Sequence, residues 1–178
     1  MAGTGESLPQ RRCWDIVVRL SHWALAGSVL FDLVRDNGDL LHRQVGYVAA
    51  AIVLVRLAWA ALSSGQGRLA ALKPSLAKTL IYLRDLSAGR ATHGPGHDPL
   101  GLWMVWLLWI LVLLLAVTGW MSRLDMFWGD DRILEVHRSI ADVLMLAVAV
   151  HLGAVLVMSL YWRENLVRGM LNGRQNGG

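Results

Sequence analysis

The chain has 178 residues, of which 55% are hydrophobic and 17% are charged. A soluble domain carries about 25% charged residues, so this composition favours an integral membrane protein. The single cysteine, Cys13, excludes a disulfide framework, a cysteine-rich zinc site and a cysteine-ligated iron–sulfur cluster, and there is no CxxCH motif for covalent haem attachment. The net charge of +4 does not indicate a nucleic-acid partner, because most basic residues fall in the predicted loops and tails at the membrane surface.

Four apolar segments are long enough to cross a bilayer, and we predict an all-α integral membrane protein with a four-transmembrane-helix bundle. Residues 14–162 form this membrane domain, between a tail at residues 1–13 and a second tail at residues 163–178. A long loop at residues 63–99 contains a short amphipathic helix that begins at Pro74 and lies on the membrane surface. The spanning helices are predicted at about residues 14–34, 40–62, 100–121 and 133–161.

Basic residues are distributed unevenly between the two sides of this bundle. The side with both tails and the long loop carries ten Lys and Arg residues, and the opposite side carries four. Because short cytoplasmic segments are enriched in Lys and Arg, we expect both termini and the long loop to face the cytoplasm.

The last helix carries two histidines, His137 and His151, separated by 14 residues. This separation is about 3.9 helical turns, so both imidazoles share a face and lie about 21 Å apart along the axis. Ionisable residues inside a membrane are costly and indicate a function. His22 on the first helix lies at the depth of His151, and His42 on the second helix lies at the depth of His137.

Two facing imidazoles are the axial ligands that low-spin b-type haem requires. The matched depths therefore predict that the bundle holds two haem b groups. One is bound by His22 and His151 near the cytoplasmic side, and the other by His42 and His137 near the opposite side.

Arginines adjoin the predicted ligands and are candidates for binding haem propionates. Arg19 precedes His22, while Arg43 and Arg138 each follow a histidine directly. For Arg56 and Arg163, a propionate role and snorkelling to the lipid headgroups remain equal alternatives.

Two further features lie at or near the start of the third spanning helix. His97 is at the level of the haem predicted between His22 and His151, where it could line a quinone headgroup pocket or relay a proton. The alternative is that His97 is a solvated loop histidine. The stripe of Trp103, Trp106 and Trp109 is assigned to packing and the lipid interface, without a chemical role.

Several stretches of the chain follow a joint pattern of histidines, arginines and aromatic residues. They are Arg19-Leu20-Ser21-His22-Trp23, His42-Arg43-Gln44-Val45-Gly46-Tyr47, Arg56-Leu57-Ala58-Trp59, Gly96-His97-Asp98-Pro99-Leu100-Gly101, Glu135-Val136-His137 and Arg163-Glu164-Asn165-Leu166. This pattern resembles the bacterial cytochrome b561 family, which includes the cytochrome b subunits of nickel–iron hydrogenases. The resemblance extends over about residues 14–174. It implies a four-helix bundle in the bacterial inner membrane, with haems ligated from helices 1 and 4 and from helices 2 and 4.

The resemblance implies electron transfer between a quinone pool, of ubiquinone or menaquinone, and a periplasmic redox protein or a hydrogenase-like subunit. A stand-alone superoxide:quinone oxidoreductase is the alternative, which would make the chain an enzyme in its own right. It ranks lower because the acidic loop before the last helix would repel superoxide. A metal transporter is a third possibility, but two pairs of histidines in separate layers do not form a tetrahedral zinc site.

Overall fold

The computed structural model describes residues 11–12, 15–63, 68–90, 98–127 and 130–175. Two 3₁₀ turns lie in these ranges, Leu69–Leu72 and Asp125–Phe127, and β1 (Arg11–Arg12) pairs antiparallel with β2 (Arg174–Gln175). The α-helices are α1 (Ile16–Val34), α2 (Leu40–Leu62), α3 (Leu76–Ser87), α4 (Pro99–Met121), α5 (Asp131–Tyr161) and α6 (Leu166–Asn172). The four longest helices begin and end within two residues of the spanning segments predicted from sequence.

The helices α1, α2, α4 and α5 are each long and apolar enough to cross a membrane. Large aliphatic side chains cover their outer surfaces, among them Leu20, Leu62 and Leu156, which are all exposed. A soluble bundle would hide so much contiguous apolar surface, whereas a membrane protein presents it to lipid. The chain is therefore a multi-pass helical membrane bundle.

The starts of the spanning helices follow from local sequence. The side chains of Asp15, Asp39 and Asp130 each accept a hydrogen bond from a backbone N–H in the first turn of α1, α2 and α5, at 2.8, 2.8 and 3.0 Å. These bonds satisfy donors that have no partner within the helix. In α4 the first helical position is Pro99, which lacks an N–H and has a φ suited to a helix start.

The spanning helices pack closely in the order α1, α2, α4, α5. Their core contains buried apolar residues from α2, α4 and α5, including Val53, Val112 and Leu144. Helix packing is sparse between α5 and the pair α1–α2. The region between α5 and α1–α2 is therefore loosely packed.

We call the end of the bundle that carries β1, β2, α3 and α6 the tail end, and the end with the two short connections the turn end. At the tail end, α3 and the 3₁₀ turn before it are fastened to α4 by tryptophans. The indole Nε1 of Trp103 donates to Thr79 Oγ1 at 3.2 Å, and that of Trp106 donates to the Leu72 carbonyl at 2.7 Å. The tryptophan stripe thus packs the long loop against the bundle.

The short helix α6 was not predicted from sequence, which indicated only a polar tail over residues 163–178. Asn165 caps its start, and Gly173 ends it in the left-handed region at φ 71°. The Arg19 guanidinium on α1 donates to the carbonyls of Met170, at 3.2 Å, and of Leu171. A seven-residue helix has too few turns for a periodic signal, and these contacts involve a residue at the other end of the chain.

Candidate haem sites

The four intramembrane histidines form two pairs of facing rings. The ring centres of His22 and His151 are 6.4 Å apart, and those of His42 and His137 are 6.3 Å apart. All four residues are half-buried. We call them the tail-end pair and the turn-end pair, respectively. In both, α5 supplies one ring, and the other comes from α1 or α2.

These separations match two imidazoles bound to one metal. A metal–imidazole bond is about 2.0–2.1 Å long and the ring centre lies about 1.2 Å behind the nitrogen, so two such rings have centres about 6.4 Å apart. The observed values agree with this distance at both sites. Both pairs therefore fit axial ligation of a haem iron.

Hydrogen bonds orient both rings of the turn-end pair. Nδ1 of His42 lies 2.8 Å from the carbonyl oxygen of Arg35, and Nδ1 of His137 lies 2.9 Å from Thr118 Oγ1. A carbonyl oxygen only accepts hydrogen bonds, so Nδ1 of His42 carries the proton and its Nε2 retains the lone pair that a metal needs. Bonds of this kind orient most metal-binding histidines.

The tail-end pair has a different environment. Among the described residues, neither ring of this pair makes a hydrogen bond, and the His22 ring packs edge-on against Trp23 with 5.3 Å between ring centres. A cavity of about 70 Å³ adjoins His22 between α1, α2 and α4. The residues that line it include Ser21, Arg56, Trp109 and Met170.

Arg56 points into the bundle, and is not snorkelling to the lipid headgroups. Only 5% of its surface is exposed, and its guanidinium carbon lies 5.8 Å from the centre of the Trp109 ring. This distance allows a cation–π interaction. Of the two alternatives for Arg56, the buried position excludes snorkelling and leaves its charge beside the tail-end cavity.

The three arginines predicted to bind propionates have different surroundings. Arg19 is engaged by the carbonyls of α6, while Nε of Arg43 donates to the Asp39 carbonyl at 3.3 Å. Arg138 is exposed on α5, next to His137. Their role as propionate ligands remains a prediction.

Sequence reasoning missed three residues that surround the turn-end pair. Thr118 and Gly119 lie against His137, although α4 carries no charge or histidine that would have indicated a role. Asp32 on α1 has Oδ1 buried and 3.6 Å from Nδ1 of His42. An acidic residue inside the first spanning segment was the signal that could have revealed it.

The predicted quinone residue, His97, lies outside the described residues. Its position relative to the tail-end cavity therefore remains a prediction.

Four spanning helices that bring facing imidazoles together inside the bundle define a membrane-embedded b-type cytochrome. A family model described as prokaryotic cytochrome b561 matches residues 13–173. The chain belongs to the prokaryotic cytochrome b561 family, which confirms the resemblance inferred from its motifs. Membership implies that it binds b-type haem and transfers electrons in the membrane. None of the curated proteins compared with the chain matches it.

Proposed function

We propose that the chain binds two haem b groups, one between His22 and His151 and one between His42 and His137. It conducts electrons between a quinone at the tail end and a redox partner at the turn end. The tail end faces the cytoplasm and the turn end faces the periplasm, in the inner membrane.

One observation carries this proposal. Two independent histidine pairs have ring separations of 6.4 and 6.3 Å, and their α5 members lie 14 residues apart, about 21 Å along the helix. A chance grouping of histidines in an apolar chain would not give the same spacing twice at two depths.

The residues of the chain hold and tune the sites. When bound, haem supplies an iron that is reversibly oxidised and reduced by one electron. α5 provides a rigid support for one imidazole in each layer, and α1 and α2 each provide the opposing one. Hydrogen bonds and burial around the rings adjust the reduction potential of each site.

A quinone headgroup is expected at the tail end. Support comes from the cavity beside His22, which has Arg56 and Ser21 as polar lining residues and Trp109 as an aromatic wall. A cation and a ring face are suited to a planar headgroup with two carbonyl oxygens. Ubiquinone and menaquinone both meet this description, and His97 is the predicted further contact.

At the turn end, the partner is a periplasmic redox protein or a hydrogenase-like subunit. Asp125, Asp130, Asp131 and Glu135 are all exposed there. This negatively charged surface favours a partner with a complementary basic patch. The acidic residues also disfavour the alternative function of superoxide oxidation, because they repel an anionic substrate. One feature favours that alternative, since the exposed Arg138 beside His137 provides a nearby cation.

The decisive experiment is a reduced-minus-oxidised absorption spectrum of the purified protein with haem quantification. We expect b-type bands and two haems per chain, with loss of one or both in His151→Ala. The matched control is His93→Ala, which removes a histidine of the long loop at residues 63–99 that belongs to neither predicted ligand pair, and which should retain both haems. A folded but colourless wild-type protein would refute the proposal.

Stopped-flow reduction then separates the two candidate functions. Rapid reduction by a quinol with slow reduction by superoxide supports the electron-transfer role. The reverse order of rates supports the stand-alone oxidoreductase.

A further inference from the structure

α4 supplies no ligand to either site, yet two of its residues contact one of the ligand rings. Thr118 lies near the turn end of α4 with only 9% of its surface exposed. Its Oγ1 is 2.9 Å from Nδ1 of His137. This bond links α4 to the turn-end pair.

The direction of the bond follows from the other contacts of the hydroxyl. Thr118 Oγ1 is also 2.9 Å from the Leu114 carbonyl and 3.2 Å from the Leu115 carbonyl, which can only accept. A threonine hydroxyl has one hydrogen, and in a helix it is commonly donated to such a carbonyl one turn earlier. The Thr118 oxygen therefore accepts from Nδ1–H of His137, and Nε2 is left with its lone pair.

The adjacent residue restricts the ring further. A Cβ placed on Gly119 would lie 3.4 Å from Cε1 and 3.7 Å from Nδ1 of His137. The imidazole thus rests directly on the α4 backbone at Gly119 while Thr118 holds its Nδ1. Together these contacts define both the tilt of the ring and the position of its proton.

We propose that Thr118 is a positioning residue that fixes the tautomer of His137 and lowers the reduction potential of the turn-end haem. A hydrogen bond from Nδ1–H to the Thr118 oxygen makes Nε2 a more basic ligand, and a more basic ligand favours the ferric over the ferrous state. The tail-end pair has no such bond among the described residues. The hydrogen bond of Thr118 therefore lowers the reduction potential of only one of the two haems.

The test uses the intact, haem-loaded protein in a spectroscopic redox titration. Thr118→Val keeps the shape of the side chain and removes the hydroxyl acceptor, leaving only backbone carbonyls of α4 near Nδ1, whereas Thr118→Ser keeps a hydroxyl. We expect Thr118→Val to raise one of the two midpoint potentials by about 59 mV, equivalent to a tenfold change in a one-electron equilibrium. The other midpoint should be unchanged, and Thr118→Ser should restore the wild-type value.

Ser122→Ala is the matched control. It also removes a hydroxyl from the end of α4, but among the described residues this hydroxyl has one partner, the Gly119 carbonyl, to which it donates at 2.9 Å. Both midpoints should keep their wild-type values in this variant.

The role of Thr118 rests on the two haems proposed above, so the wild-type spectrum is measured first. A wild-type protein without two b-type haems counts against the proposed function alone. With two haems present, unchanged midpoints in Thr118→Val, or equal shifts of both, overturn the role of Thr118. If Thr118→Val loses one haem and Thr118→Ser keeps both, the result supports the role of Thr118. If Thr118→Ser loses the same haem, the result overturns that role.

Discussion

Among single residues, the surroundings of His137 show how a side chain without charge can determine a metal site. Thr118 holds Nδ1 of the ring, and Gly119 leaves the space that the ring occupies. A small residue is needed for this close approach, because a side chain longer than that of alanine would reach the position of the imidazole. The steric role of Gly119 can be tested separately from the hydrogen bond of Thr118.

We expect Gly119→Leu to reduce the haem content from two per chain to about one. The Cβ alone would lie 3.4 Å from the His137 ring, which is ordinary contact, but the remaining leucine carbons would displace the ring from His42. Gly119→Ala should therefore keep both haems. Haem quantification per chain in purified variants measures the difference.

The control is Gly153→Leu, which places the same side chain on α5, two residues from His151. A Cβ on Gly153 would meet no atom within 4 Å, so this variant should bind as much haem as the wild type. Equal haem content in Gly119→Leu and Gly153→Leu would show that space at Gly119 is unimportant.

Among the elements, the short connection between α1 and α2 links a helix start to a ligand. The Arg35 carbonyl accepts from His42, while the Arg35 guanidinium forms an ion pair with Asp39 at 2.5 Å. Asp39 in turn caps α2 at the backbone N–H of His42. The hydrogen bond from Arg35, followed by that from the His42 backbone, lowers the pKa of Asp39 from 3.8 to about 2.

This shift determines how the stability of the turn depends on pH. A carboxyl whose pKa is lower in the folded than in the unfolded state stabilises the fold at pH values above its pKa in the unfolded state. The stabilisation by Asp39 is therefore complete above about pH 4 and is lost as the pH falls towards 2. Because the ion pair is exposed to solvent, salt should weaken it.

We expect Asp39→Asn to unfold at a lower temperature than the wild type at pH 7. Asparagine caps helices about as well as aspartate, so the substitution removes the charge and keeps the cap. The difference in melting temperature should disappear as the pH is lowered from about 4 to about 2, the window of the Asp39 shift. Circular dichroism melting curves in detergent provide the measurement.

Asp36→Asn is the matched control, because Asp36 is exposed in the same turn and forms no ion pair among the described residues. Its melting temperature should follow that of the wild type over this pH range. A difference for Asp39→Asn that is as large at pH 2 as at pH 7 would contradict the assignment.

For the whole molecule, the distribution of basic residues predicts which end faces which compartment. The two tails and the long loop carry ten Lys and Arg residues against four in or beside the two short connections, which predicts that the tail end faces the cytoplasm. In this predicted orientation, the turn-end pair would lie next to the periplasm. A periplasmic partner would then exchange electrons with that pair and a quinone with the other.

Reporter fusions test this orientation. Alkaline phosphatase needs disulfides that form in the periplasm and not in the cytoplasm. We expect it to be active when fused after Ser122 at the turn end, and inactive when fused after Gly178. A cytoplasmic fluorescent reporter should give the opposite pattern, and an active phosphatase at Gly178 would reverse the proposed orientation.

The sequence by itself determined the spanning helices, to within two residues at each end, and the depth of the four paired histidines. These properties are local, because apolar length decides which segments cross the membrane, aspartates and Pro99 mark helix starts, and a rise of about 1.5 Å per residue converts position into depth. The pairing of histidines followed from depth, and the ring separations of 6.4 and 6.3 Å agree with it.

Only the tertiary structure decided what surrounds the rings. Thr118 meets His137 across 19 residues, and Arg19 meets Met170 across 151. These contacts depend on how each helix is rotated and packed against its neighbours, which the apolar pattern of α4, uniform around its circumference, does not encode. Depth is a property of one helix and can be counted along the chain, whereas a hydrogen bond between helices depends on the packing of both.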